Sequence, residues 1–83
     1  MAVAIPLEVH HVQGAFSVIA RLPGVRLEDL RISLSRDALT IDANSSEGAR
    51  HCDLALAFPV DDRRATMRFA DGVLWVYLPR LRP

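Results

Sequence analysis

The chain has 83 residues, with ten acidic and ten basic side chains and so no formal net charge. That length suits one domain, residues 1–83, and a hydrophobic fraction of 51% allows a packed core and argues against disorder. Zero net charge argues against nucleic acid or an anionic membrane as partner, and the longest apolar run, Val73 to Leu78, falls far short of the roughly 20 residues of a membrane-spanning helix.

No segment keeps a helical period; short alternation broken by turn residues recurs instead. Ile5, Leu7 and Val9 alternate with Pro6, Glu8 and His10, which predicts a first strand at a sheet edge, where a proline is tolerated. Gln13-Gly14 turns the chain, and Phe16, Val18, Ala20 and Leu22 line one face of the second strand. Leu22-Pro23-Gly24-Val25 reads as a type II turn, proline presetting one central φ and glycine supplying a positive φ at the next. Leu27 and Leu30, around Glu28-Asp29, suit one helical turn.

Leu30, Ile32 and Leu34 then alternate with Arg31, Ser33 and Ser35. After a turn at Arg36-Asp37, Leu39 and Ile41 continue the pattern, with Thr40 and Asp42 facing away. Asn44 to Gly48 is a loop by composition, and Leu54, Leu56 and Phe58 form the next inward set, closed by Pro59. Asp61-Asp62-Arg63-Arg64 reads as solvated. Met67 and Phe69 alternate with Arg68, Asp71-Gly72 is a two-residue hairpin loop, and Val73 to Leu78 is the last strand, closed by Pro79. The fold class is all-β: an immunoglobulin-like β-sandwich of about seven antiparallel strands.

These residues resemble the small heat-shock protein family and its α-crystallin domain. Phe16 to Val25, with Leu22-Pro23-Gly24-Val25 and then Glu28-Asp29-Leu30, is similar to the family's first signature. Leu39-Thr40-Ile41 resembles the following strand, and Gly72-Val73-Leu74 through Pro79-Arg80 resembles the closing glycine-valine-leucine strand. The match spans about residues 5–80, in order and spacing. The resemblance implies an α-crystallin-like domain that holds unfolding client proteins without ATP, needs no cofactor, and is not an enzyme.

Four departures limit what carries over. The segment Ala43 to Asp53 is too short for the exchanged loop by which bacterial members dimerise. The strand Cys52 to Phe58 lacks the usual arginine between aromatics, and Met67 stands where alanine is common. The sequence also shows neither a long N-terminal arm nor an isoleucine-x-isoleucine tail, and so reads as the bare domain. Short-looped sandwiches of this kind also resemble CS-domain co-chaperones and the small domain of some arsenical-pump-type ATPases, which implies an alternative role in docking one dedicated partner.

Two places are candidate partner-binding sites. If Leu74, Val76 and Leu78 face the core, then Val73, Trp75 and Tyr77 face the other way. They form either an exposed amphipathic contact site or a face covered by the first strand or the chain ends. The resemblance also implies a groove between the strand carrying Ile32 and Leu34 and the strand carrying Met67 and Phe69, which accepts apolar tails; the other reading is that these four fill the core.

All ten basic residues are arginine, which excludes a lysine nucleophile and supplies forks suited to carboxylates. Only His10-His11 and His51-Cys52 carry metal or nucleophile chemistry, and neighbours on a strand point to opposite faces, so neither pair is a chelate. The reading is solvated histidines, a half-buried thiol and no metal site. With one cysteine and no leader pattern, the expectation is a soluble, cytoplasmic protein. A domain this small sits near break-even between burial and roughly 1.5 kcal/mol per residue of ordering entropy, so a second copy in a homodimer would help to hold it together.

Overall fold

Two four-stranded sheets face each other, their strand orders β1-β6-β5-β4 and β2-β3-β8-β7. The structure, a computed structural model, describes residues 3–81. The strands are β1 (Val3–Ala4), β2 (Leu7–Val12), β3 (Ala15–Arg21), β4 (Leu30–Leu34), β5 (Ala38–Ser45), β6 (Gly48–Ala55), β7 (Thr66–Ala70) and β8 (Val73–Pro79). Seven of them pair antiparallel, as the alternation predicts. The eighth, β1, was not expected: it is only two residues long and runs parallel to β6 at Arg50 and His51.

The expected first strand is therefore split. Pro6 is not in a strand; with Ile5 it carries the chain from one sheet to the other. Ile5 is only 6% exposed and plugs the gap between the sheets, while the Pro6 carbonyl accepts the Arg21 N–H. A two-residue crossover can join only neighbouring edges, so β1–β6 and β2 lie on one side of the sandwich. The rings agree: Phe16 of β3 stacks on Phe58 at 4.2 Å, and His11 of β2 packs on Phe58 at 5.2 Å. Strand order then leaves β4 and β7 as the two edges of the opposite side.

Inside, alternation does what the sequence implies. Phe16, Val18 and Ala20 meet Leu78, Val76 and Leu74 across the β3–β8 ladder, and Leu39 and Ile41 supply the other sheet's share. No polar side chain is buried among the described residues, so no buried dipole offsets the gain from burial. Cys52, Leu54, Leu56 and Phe58 pack on this core, half-buried.

Two boundaries differ from the expectation. Asn44 to Gly48 is not a loop: β5 runs to Ser45 and β6 starts at Gly48, leaving a two-residue turn at Ser46-Glu47. The backbone ladder overrides the polar composition there, with Gly48 at φ 120° and the Ser45 hydroxyl accepting the Glu47 N–H. Strand β6 consequently ends at Ala55, and Leu56 and Phe58 follow it as irregular chain. Their segment ends in Val60, which is fully buried and had not been assigned to the core. It is fixed by Val60 N–H to Arg36 O, Asp61 N–H to Pro79 O and Leu81 N–H to Pro59 O.

The turns carry the predicted geometry. Gln13-Gly14 and Asp71-Gly72 both have two positive φ angles, which matches strand twist, and Gly24 sits at φ 78° with Val25 N–H on Leu22 O. Two pieces of the family signature also meet in space. Leu22 N–H donates to Gly72 O at 2.6 Å, and a side chain on Gly72 would come within 3.2 Å of Leu22 O and 3.3 Å of Pro23 Cα. Gly24 has open space around it. Gly24→Ala should thus cost about 1 kcal/mol, from backbone strain alone, and Gly72→Ala about 2–3 kcal/mol, from strain plus backbone crowding. Urea unfolding of the two variants checks this; equal losses would contradict it.

Candidate functional site

Strand register sets which residues share the outer face of the β2-β3-β8-β7 sheet. Glu8, Ile19, Trp75 and Arg68 form one row across it, and His10, Ser17, Tyr77 and Thr66 the next. Trp75 is 39% and Tyr77 50% exposed, while Val73 is half-buried. The first strand does not cover this face: β2 lies in the plane of the same sheet, at its edge, and so cannot lie over the rings, while the chain ends at 1–2 and 82–83 lie outside the described residues. Arg68 places its guanidinium 5.5 Å from the Trp75 ring centroid, a cation–π contact at the surface.

The second candidate site lies at the β4–β7 side. Ile32 and Leu34 pair with Ile41 and Leu39, and Phe69 with Leu74, so all three point inward; they are half-buried and pack on the core. Met67 pairs with Val76 and so sits on the inward face too, yet it is 44% exposed. Met67 lies on the edge strand β7 and also lines the surface depression of Ser17, Arg68, Trp75 and Tyr77. The core reading thus describes Ile32, Leu34 and Phe69 in part, and Met67 not at all.

The outer face of the other sheet holds a polar cluster that the sequence reading missed. His51 is gripped by two carboxylates, Nδ1 against Asp42 Oδ1 at 2.5 Å and Nε2 against Asp53 Oδ2 at 2.8 Å, and the Thr40 hydroxyl donates to Asp53 at 3.0 Å. The hydrogen bond to Asp42, then that to Asp53, raises the His51 pKa from 6.5 to about 9. Asp53 is lowered, first by His51 and then by Thr40. The cluster was legible only through the hairpin: counting outward from a Ser46-Glu47 turn pairs Asp42 with His51 and Thr40 with Asp53. Once the segment is read as a loop, the register is lost.

The four residues with metal or nucleophile chemistry do not come together. His51 points out of its sheet and Cys52 in, opposite Ile41. Burial, then the Asp53 charge, pushes the Cys52 thiol above its ordinary pKa, the wrong direction for a nucleophile. His11 packs on Phe16 and Phe58, and His10 lies 3.7 Å from Glu8. Among the described residues no group of three or more His, Cys, Asp or Glu is placed to hold a metal ion.

Comparison with known proteins identifies the sandwich. No protein-family model and no curated protein matches the sequence. The structure is similar to heat shock protein 16.0 from Schizosaccharomyces pombe, with a TM-score of 0.90 at 23% identity over 99% of this chain and 70% of that one. It is similar to HSP18.5 from E. histolytica, with a TM-score of 0.86 at 13% identity over 98% and 91% of the two chains. A small heat-shock protein from Xylella fastidiosa superposes with a TM-score of 0.81 at 21% identity over 95% and 87%. The fold is the α-crystallin-type sandwich of the small heat-shock proteins.

The His51 clamp gives a pH dependence of known sign. A histidine whose folded pKa is raised contributes its full stabilisation below pH 6.5 and loses it as pH rises through about 9. Asp53, lowered on folding, contributes above the ordinary carboxylate range and loses its share as pH falls. The urea midpoint of the wild type should therefore fall between pH 6.5 and 10, and His51→Gln should flatten that fall. An unchanged slope in His51→Gln would contradict the clamp.

Proposed function

We propose that this chain is an ATP-independent, chaperone-like binding module of the small heat-shock type, which holds apolar segments of unfolded client proteins. The observation that carries the reading is Met67: it has the inward register on the edge strand β7 yet remains 44% exposed, while Ile32 and Leu34 on the edge strand β4 are only half-buried. Unpaired backbone along the outer edges of β4 and β7 offers a client hydrogen bonds, and the flexible methionine accommodates varied side chains. Similarity to three heat-shock proteins supports the same reading.

The proposal has no catalytic step. Cys52 is held as the neutral thiol and His51 is occupied by its two carboxylates, so this pair serves structure rather than chemistry. On its side away from β5, β6 is paired by β1 only at Arg50 and His51, so along Cys52–Ala55 that side offers a second copy a place to add, which favours a homodimer. Nucleic acid and membranes are not proposed as partners, since the formal charge is zero and no helix of the described residues is long and apolar enough to cross a bilayer. A cytoplasmic location belongs to this proposal.

A second reading is favoured by the exposure of Trp75 and Tyr77 together: a dedicated docking domain, of the kind found in CS-domain co-chaperones or appended to an ATPase, that is inert to unfolded clients. Heat-induced aggregation of two unrelated client proteins separates the two. The wild type, in several-fold excess, should suppress both, and Met67→Asp, which puts a charge on the edge strand β7, should suppress both markedly less. Failure to suppress either would overturn the holdase reading and leave docking.

A further inference from the structure

We propose that the outer surface of β8, from Trp75 across Tyr77 to a cleft at Arg64 and Arg80, binds an extended acidic segment of a partner protein in which carboxylates alternate with apolar residues. This deepens the docking reading, and its test reads the arginines of the track, which the holdase reading does not use.

Two surface depressions share Tyr77 and so form one track. The first is lined by Ser17, Thr66, Met67, Arg68, Trp75 and Val76. The second, at the end of the sandwich, is lined by Gly14, Pro59, Arg64, Pro79, Arg80 and Leu81. Aromatic surface from Trp75 and Tyr77 thus shares this track with Arg64, Arg68 and Arg80, and no carboxylate lines either depression.

The arginines of the track, like Arg31, Arg36 and Arg63 elsewhere on the surface, have no carboxylate partner among the described residues; what sets the track apart is that three such arginines gather beside aromatic rings. Arg21, Arg26 and Arg50 each have a glutamate within 4.0 Å: Glu8, Glu28 and Glu47. The side chains of Arg64, Arg68 and Arg80 make no ion pair and no hydrogen bond with any described residue. Two of them are positioned by rings instead, Arg68 over Trp75 at 5.5 Å and Arg80 over Phe58 at 4.9 Å. A guanidinium held over a ring without a carboxylate partner still has N–H donors to offer a carboxylate. Two ring-held cations, Arg68 and Arg80, with Arg64 beside Arg80 in the cleft, therefore call for an occupant with spaced negative charges and apolar side chains between them.

The charge surrounding the track chooses peptide over nucleic acid. Asp61 and Asp62 stand in the same turn as Arg64, whose N–H donates to Asp61 O, and Asp71 sits at the tip of the β7–β8 hairpin. A phosphate at every nucleotide would meet these carboxylates as well as the arginines, whereas a peptide with spaced acids meets the arginines alone. Because β8 is a central strand, the segment lies across the face of the sheet and does not extend it.

Trp75 is the single tryptophan and reports the site by its emission. The probe is a short, end-capped peptide in which aspartates alternate with leucine and phenylalanine. It should shift Trp75 emission saturably at low salt, more weakly as salt is added. The Arg64→Ser/Arg80→Ser variant should bind about tenfold more weakly, as two exposed charge pairs imply. Arg31→Ser, on the other sheet, should bind as the wild type does. Arg64→Ser alone serves if the double variant does not fold. The proposal is overturned if the aspartate peptide gives no saturable shift, if Arg64→Ser and the double variant bind undiminished, if the same peptide with lysine for aspartate binds equally, or if oligothymidylate binds more tightly.

Discussion

The stacking of Phe16 on Phe58, with His11 against them and Ile5 plugged beside Pro6, closes one side of the sandwich. Everything functional follows from that asymmetry. Closing the β2–β6 side with rings and a two-residue crossover aligns the sheets so that β4 and β7 are the free edges opposite. No comparable crossover or ring stack spans those edges among the described residues. The inward residues there, Ile32, Leu34 and Phe69, are left half-buried and Met67 exposed. That apolar surface on the β4–β7 side is what the proposed binding function draws on.

The turns hold this arrangement in place. Gly72 lies at the tip of the last hairpin and against the Leu22-Pro23-Gly24-Val25 turn, so the two family-like motifs form one piece of structure. Their contact ties the end of β3 to the start of β8, its neighbour in the sheet. That places Trp75 and Tyr77 on the outer face with the register seen here, Ile19 beside Trp75 and Ser17 beside Tyr77. A shift of one residue would bury both rings and expose Leu74 and Val76.

Much of the fold was legible in the sequence because one face of nearly every strand is buried, and a period of two then writes itself into residues such as Phe16, Val18 and Ala20. The turns were legible because Pro23-Gly24 and Asp71-Gly72 name their own geometry. What escaped had no such signal. Val60 is a lone apolar residue after a proline, buried by backbone hydrogen bonds to Arg36 and by its bridge to Arg80. The β1 strand is two residues long and parallel, too short for any alternation. The Asp42–His51–Asp53 clamp depends on a register that the polar Asn44 to Gly48 segment disguised as a loop. The candidate sites were legible to different degrees: alternation placed Trp75 and Tyr77 on an outer face, but the exposure of Met67 depends on which two edges lie together, and that is a property of topology alone.

The proposed function requires the β4–β7 side to accept an apolar segment. The most direct measurement is a titration of the domain with a short isoleucine-x-isoleucine peptide, followed by backbone amide shifts. Shifts concentrated in Leu30–Leu34 and Thr66–Ala70, with Trp75 and the β2–β6 side unmoved, are the result this account predicts. No shifts in those two strands, or shifts confined to the outer face of β8, would contradict it.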